Sequence, residues 1–166
     1  ILTVNMPPSP EPRYPRGLVW LRRDLRAHDQ AALYHALTRC EQVFCAFVFD
    51  KDILDALPRA DRRVEFIRES LVELDDTLRA LSGQERGGLI VWHAVASDAI
   101  PALASALDVQ AVFANHDDEP QALDRDRLVR TRLAAAGKAF HTFKDHTLLE
   151  RSEVLTQTGN PYSVFT

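Results

Sequence analysis

Charged side chains stand directly after a short apolar run near the start of the chain. The run, residues 18–21 (LVWL), suits a strand that is buried on both faces, and the residues after it include Arg22, Arg23, Asp24 and Arg26. Three guanidinium groups and a carboxylate are stable in a protein interior only when they are paired. The group therefore predicts either a ligand-binding loop or a salt-bridged loop with a purely structural role, and the residue types leave both open.

A second polar group follows a later apolar run. Residues 109–114 predict a strand, and Asn115, Asp117 and Glu119 come after it, ahead of Pro120. Proline fits the first position of a helix, where acidic residues also interact favourably with the helix dipole. Amide and carboxylate groups of this kind hydrogen-bond polar ligands or pair with arginine.

The elements that must position these groups alternate along the chain. Apolar runs at residues 18–21, 43–49, 89–92, 109–114 and 139–143 predict five strands separated by helices. This order predicts an α/β fold: a five-stranded parallel, doubly wound (Rossmann-like) sheet of order 3-2-1-4-5 with helices on both faces.

The strongest helical pattern spans residues 61–81. Its apolar residues are spaced three, four, three, four and three apart, which predicts one stripe buried in the core rather than a cofactor site. They are Val64, Ile67, Leu71, Leu74, Leu78 and Leu81.

Polar residues and glycine mark the predicted helix ends. Asp29 predicts the N-cap of the first helix, and Ser97 predicts the N-cap of the helix after strand three. Gly137 suits the position that ends the helix before strand five.

Such a sheet places its ligand crevice beyond the C-terminal strand ends, where the strand order reverses. In order 3-2-1-4-5 that point lies between strands one and four, so Arg22 and Arg23 should face Asn115, Asp117 and Glu119. We expect these groups to hold a planar heteroaromatic molecule, with Trp20 or Phe49 as an apolar wall. The alternative is that Arg22 or Arg23 simply pairs with Asp117 or Glu119 and links the two loops.

Length and composition limit the function classes. The 166 residues suffice for one domain, and the net charge of -4 gives no reason to expect tight nucleic-acid binding by this chain alone. Two cysteines, Cys40 and Cys45, stand in no metal or redox spacing and fit core thiols in a reducing cytoplasm. Membrane-span, secretion-signal and phosphate-loop patterns are absent from the sequence, and we predict no catalytic residue and no metal site in it.

Proline content suggests how the chain is divided. Residues 1–16 predict a disordered, proline-rich leader, 17–145 the α/β domain, and 146–166 a tail that leads toward an interdomain linker.

The first charged loop also carries a family resemblance. Residues 20–26 (WLRRDLR), with 28–30 (HDQ) and Ala32-Leu33, resemble the opening motif of the DNA photolyase and cryptochrome family: an aromatic pair, R-x-D-L-R, then D-N-x-A-L. Leu21 stands where an aromatic residue is common, and Gln30 where asparagine is usual.

Two further stretches extend the resemblance over residues 18–166. Residues 115–120 with Arg125-Asp126 are similar to the family's N-x-D-x-E-P stretch and the R-D after it, with His116 and Asp118 departing from the usual choices. Residues 159–166 are similar to the G-x-P-Y-x-V-F-T that precedes the linker to the family's helical domain.

The resemblance implies the N-terminal antenna domain of a bacterial deoxyribodipyrimidine photolyase, a lyase that repairs cyclobutane pyrimidine dimers with light and reduced FAD. The antenna would be a reduced folate, a deazaflavin or FMN, bound by Asn115, Asp117 and Glu119 with support from Arg22 and Arg23. FAD would lie in a C-terminal helical domain outside these residues, and the protein would contact damaged DNA through that domain. The intact protein would be a cytoplasmic monomer. These residues alone would not repair DNA. Two alternatives stay open: a cryptochrome-like blue-light photoreceptor, and a free-standing α/β nucleotide-binding module of the universal-stress type.

Overall fold

The computed structural model describes residues 13–84, 87–150 and 153–160. All strands form one parallel sheet in the order β3-β2-β1-β4-β5, which confirms the predicted fold class and strand order. The strands are β1 Tyr14–Leu21, β2 Cys40–Asp50, β3 Leu89–Ala94, β4 Ala111–Asn115 and β5 Ala139–Phe143. The helices are α1 Ala31–Arg39, α2 Lys51–Leu54, α3 Arg62–Ser82, α4 Ala96–Ala106 and α5 Pro120–Ala135.

Helices cover both faces of the sheet, and alternating side chains of β1 contribute to the core on each face. Leu18 and Trp20 point to a core shared with α4 and α5. Val19 and Leu21 point to the opposite core, shared with α1 and α3. All four are at most 2% exposed, as expected for a strand buried on both faces.

Strand β1 begins at Tyr14, inside the predicted leader and four residues before the apolar run. Residues 1–12 of that leader lie outside the described residues. The early start follows from pairing, since Tyr14 and Arg16 are in register with residues of β2. Backbone pairing can therefore extend a strand beyond its apolar segment.

Gly17 of β1 packs closely against Cys40 and Phe113. A Cβ at this position would lie 2.5 Å from Cys40 Sγ and 3.1 Å from a ring carbon of Phe113. Gly17→Ala should therefore lower the free energy of unfolding by about 1 to 3 kcal/mol, measured by urea denaturation. Adding Cys40→Ala should restore part of the loss, and an undiminished stability of Gly17→Ala would contradict this packing.

Two predicted N-caps are wrong. Helix α1 is capped by Gln30, whose Oε1 accepts from Leu33 N at 2.5 Å, while Asp29 has a left-handed backbone with φ of 49°. Helix α4 is preceded by Val95 without a side-chain cap, and Ser97 lies inside the first turn. Asp50 of the neighbouring strand instead accepts from Ala96 N at 3.2 Å, a contact that local sequence does not reveal.

Helix α3 has the predicted extent, with Asp61 as its N-cap and Gly83 in a left-handed C-cap. Its stripe is buried only in the middle, at Leu71, Leu74 and Leu78, so the prediction of six core residues is wrong. Leu81 is 63% exposed because it lies in the last turn, and Val64 and Ile67 are half-buried at the other end. Among the described residues, no helix combines the length and the apolar character that crossing a membrane requires.

Both cysteines lie in β2 as free thiols, Cys45 buried and Cys40 half-buried. Burial raises the pKa of each thiol to about 12, with the charge of Arg39 opposing the change at Cys40. Because unfolded cysteine ionises near pH 8.5, the folded state favours the protonated thiols, and this contribution to stability is complete below that pH and is lost toward pH 12.

The stability difference between the parent chain and Cys45→Ala should therefore shrink as the pH rises from 8 toward 11. Urea denaturation of both proteins at each pH measures it, and titrations shared by the two proteins cancel. A difference that stays constant over this range would contradict the raised pKa of the Cys45 thiol.

Candidate cofactor-binding site

One cavity of about 610 Å³ opens at the C-terminal edge of the sheet. Its floor is the ends of β1 and β2, and its sides are the α2–α3 region and the first turns of α4 and α5. Four of the five predicted site residues line it: Arg22, Arg23, Asp117 and Glu119. Trp20 and Phe49 contribute apolar wall, as the sequence predicts.

Arg23 bridges the loops after β1 and β4. Its guanidinium lies 2.5 Å from Glu119 Oε1 and 3.6 Å from Asp117 Oδ2. The hydrogen bond to Glu119 raises the pKa of Arg23 above its usual range, while partial burial opposes this and the charges of both carboxylates add to it. The contact foreseen as the structural alternative is thus present, and it forms one rim of the cavity.

The side chain of Arg22 is 8% exposed and lies beside Trp20. Its Nη1 donates to Asp126 Oδ1 at 2.6 Å and its Nη2 donates to the carbonyl oxygen of Asn115. The guanidinium carbon lies 4.7 Å from the centroid of the Trp20 ring, a cation–π distance. Arg22 therefore fixes an aromatic wall of the cavity and joins β1 to α5.

A further pair, Asp50 and Arg125, joins β2 to α5. Arg125 Nη1 lies 3.4 Å from Asp50 Oδ2 and its Nη2 lies 3.7 Å from Asp117 Oδ2. Arg125 also lies 5.2 Å from the Trp20 ring centroid, and its Nε is buried without a hydrogen-bond partner among the described residues. The polar part of the cavity is therefore a connected set of arginines and carboxylates.

Asn115 does not line the cavity. It is 2% exposed, its Oδ1 accepts from Ala32 N at 2.8 Å, and its Nδ2 donates to Asp24 Oδ2 at 2.6 Å. Asp24 accepts in addition from Gln30 Nε2 at 2.6 Å and from Arg22 N at 2.8 Å. These bonds occupy both polar atoms of the Asn115 side chain at the junction between β1 and β4.

Sequence reasoning missed the wall that faces the arginines. Val64 and Ile67, at the start of α3, line the cavity together with residues of α2, a helix that the sequence pattern does not predict. The sequence analysis also did not predict Asp50 as a site residue, although Asp50 follows the apolar run of β2 just as Arg22 follows the apolar run of β1. That repeated pattern was the available signal, because ends of neighbouring parallel strands meet at one edge.

The lining of the cavity combines aromatic and aliphatic side chains with arginines and carboxylates. Aromatic and aliphatic walls with a few polar groups at one end match the usual build of a site for a small organic molecule.

Comparison with known proteins identifies the family of the chain. A model of the DNA photolyase family matches residues 17–166. A deoxyribodipyrimidine photo-lyase of Halobacterium salinarum is 37% identical over 158 residues, covering 90% of this chain and 32% of that protein. Cryptochrome-1 of Arabidopsis thaliana is 32% identical over 155 residues, covering 90% of this chain and 21% of that protein.

A solved structure agrees with these relatives. The archaeal photolyase from Sulfolobus tokodaii, which carries two FAD molecules and implies a novel light-harvesting cofactor, superposes with a TM-score of 0.75 at 29% identity. The match covers 85% of this chain and 32% of that one.

The chain spans about half the length of one curated relative and about a third of the curated photolyases it matches. The family match nevertheless includes both charged loops and all five strands except the first residues of β1. The chain belongs to the DNA photolyase family.

Proposed function

We propose that this domain holds a light-harvesting chromophore in the cavity over β1 and β2. In the intact protein, the absorbed energy would pass to reduced FAD in a C-terminal helical domain, which repairs cyclobutane pyrimidine dimers in DNA. The observation that carries the proposal is the cavity of about 610 Å³, lined by four of the five predicted antenna residues within a chain of this family. Asn115 takes a positioning role in it, since its amide holds Asp24 and the start of α1.

The walls support a planar chromophore. Trp20 and Phe49 offer aromatic surface, and Val64 and Ile67 offer aliphatic surface. A ring system of the flavin or deazaflavin kind buries its faces against such walls and directs its polar edge toward the arginine–carboxylate set. In this proposal the domain spans Tyr14 to about residue 145. Its partners are the helical domain and, through that domain, damaged DNA in the bacterial cytoplasm.

The test is an absorption spectrum of the protein expressed from the uninterrupted reading frame, followed by an assay of light-dependent dimer splitting. We expect flavin bands with a second chromophore, and repair that is faster at wavelengths absorbed by that chromophore. Flavin without a second chromophore, after expression with folate, deazaflavin and FMN available, would contradict the antenna function.

A second candidate is a photoreceptor whose output is partner binding. The observation that favours it is the match to a plant cryptochrome at 32% identity over most of this chain. The same assay separates the two, since a photoreceptor would show the flavin bands and no dimer splitting under any illumination.

A further inference from the structure

We propose that two copies of this chain pair through strand β3 about a two-fold axis. The two sheets then join into one continuous sheet, and helix α3 packs against α3 of the second copy. This surface is separate from the cavity and does not depend on the proposed function. It departs from the monomer that the family resemblance implies.

Strand β3 is an open edge of the sheet. It pairs in parallel with β2 on one side, and within the described part of the chain no strand lies on its other side. Its sequence, LIVWHA, has none of the lysine, acidic or proline residues that usually prevent an edge strand from pairing with another chain. Val91 is 45% exposed and Trp92 is 38% exposed, whereas no residue of β5, at the opposite edge, is exposed. The apolar edge at β3 is therefore suited to pair with a further strand.

One side of α3 lies along this edge. Asp75 Oδ1 accepts a hydrogen bond at 2.6 Å from Leu89 N, at the start of β3. Val72 precedes Asp75 by three residues and shares its side of the helix, and Val91 follows Leu89 by two and shares its face of the strand. Because a crossover helix runs antiparallel to its strands, Val72 lies about 4.5 Å from Asp75 and Val91 about 6.6 Å from Leu89 in the same direction. Val72, which is 52% exposed, and Val91 therefore lie at about the same level of the edge.

A two-fold axis beside Val91 brings both elements together at once. It pairs β3 with β3 of the second copy in an antiparallel register, with Val91 opposite its own copy. Leu74 and Leu78 of α3 pack in one cluster with Val43 and Cys45 of β2, so α3 lies over β2 and β3. With strands about 4.8 Å apart, α3 lies about 5 Å from the two-fold axis, and the two copies of α3 lie about 10 Å from each other. This is close to the usual separation of packed helices, about 8 to 10 Å.

The exposed charges on this side of α3 complement themselves under the same axis. Antiparallel packing centred on Val72 sets Arg68 opposite Asp76 of the second copy. It also sets Glu65 opposite Arg79 of the second copy. All four charged residues are exposed, and each pair forms twice in a dimer. Complementary charges fix the register of an interface and disfavour other partners, so the occupant that this surface fits is a second copy of the chain.

Sedimentation velocity of the 166-residue chain over a series of concentrations measures the pairing. We expect a reversible dimer with a dissociation constant in the micromolar range. Val91→Lys should be monomeric at the same concentrations, because lysine on an edge strand opposes pairing. The parent side chain is nearly half exposed, so the variant should keep the circular dichroism spectrum of the parent. A parent chain that stays monomeric up to millimolar concentration would overturn the proposal.

Charge reversal on α3 tests whether the occupant is a second copy. Arg68→Glu and Asp76→Arg should each weaken the dimer at least about tenfold, because like charges would face each other twice. An equimolar mixture of the two variants should dimerise as the parent does, since each introduced charge meets an opposite charge on the other variant. The two positions lie about 12 Å apart along one helix, so contacts within a chain do not explain such a recovery. Glu73→Arg, a matched reversal at an exposed position on another side of α3, should leave the dimer unchanged.

The remaining outcomes decide against the proposal. A dimer that is unaffected by Val91→Lys and by both reversals would overturn the assignment to β3 and α3. Reversals that weaken the dimer without recovery in the mixture would overturn the two-fold arrangement. Val72, Asp76 and Val91 lie outside the lining of the cavity, so chromophore content should not depend on the dimer. Unfolding measured well below the dissociation constant reports the monomer.

Discussion

Replacing Asp24 with alanine should lower the free energy of unfolding by about 3 to 5 kcal/mol. Asp24 is 2% exposed, and its oxygens accept hydrogen bonds from Arg22 N, Gln30 Nε2 and Asn115 Nδ2. Its removal leaves two buried side-chain amides and one backbone N–H without an acceptor. Urea denaturation followed by circular dichroism measures the loss.

Two further variants make this result interpretable. Asp24→Asn keeps one oxygen acceptor but sets an amide donor against other donors, so it should lose less stability than the alanine variant. Asp76→Ala removes an exposed carboxylate from the middle of α3 and should change stability by no more than about 0.5 kcal/mol. If Asp24→Ala were as stable as Asp76→Ala, the buried network would not stabilise the loops at the ends of β1 and β4.

Filling the cavity from α3 should abolish chromophore binding without unfolding the domain. Val64→Trp combined with Ile67→Trp places two indole rings in the space over β1 and β2, where both parent side chains are half-buried. We expect the chromophore bound per mole of protein to fall at least about tenfold, because the two indole rings would occupy the space that the chromophore needs. Absorption spectra of the parent and variant, purified from the uninterrupted reading frame, measure it, and the FAD bands should persist.

The same helix offers the control. Val72 is 52% exposed and does not line the cavity, so Val72→Trp should leave chromophore content unchanged. Equal chromophore content in all three proteins would show that the antenna binds elsewhere. Loss in the control as well would point to a general effect of tryptophan on α3 and would contradict the role given to Val64 and Ile67.

The charged loop after β1 should contain one residue that acts mainly in folding and another that acts mainly at the cavity. Asp24 points toward Asn115 and closes the junction between β1 and β4. Arg23, one residue earlier, points toward Glu119 at the cavity rim. Neighbouring residues of one motif therefore serve different purposes, one mainly in folding and the other in shaping the site.

The sequence by itself determined the parallel sheet, its strand order and the two loops that carry the site. Each of these depends on local patterns: apolar runs of strand length, helical spacing between them, and polar residues at strand ends. Such patterns act over a few residues, and right-handed crossover connections then leave few ways to order the strands.

Tertiary structure alone decided several polar contacts beyond the pairing of Arg23 with Asp117 and Glu119. Asn115 turned inward to Asp24, 91 residues earlier, and Arg125 paired with Asp50, 75 residues earlier. It also decided that the stripe of α3 leaves the core at Val64 and Ile67 and becomes a cavity wall. The physical reason is that a helical stripe specifies an apolar face but not what covers it, and a charged side chain specifies the need for a partner but not which one.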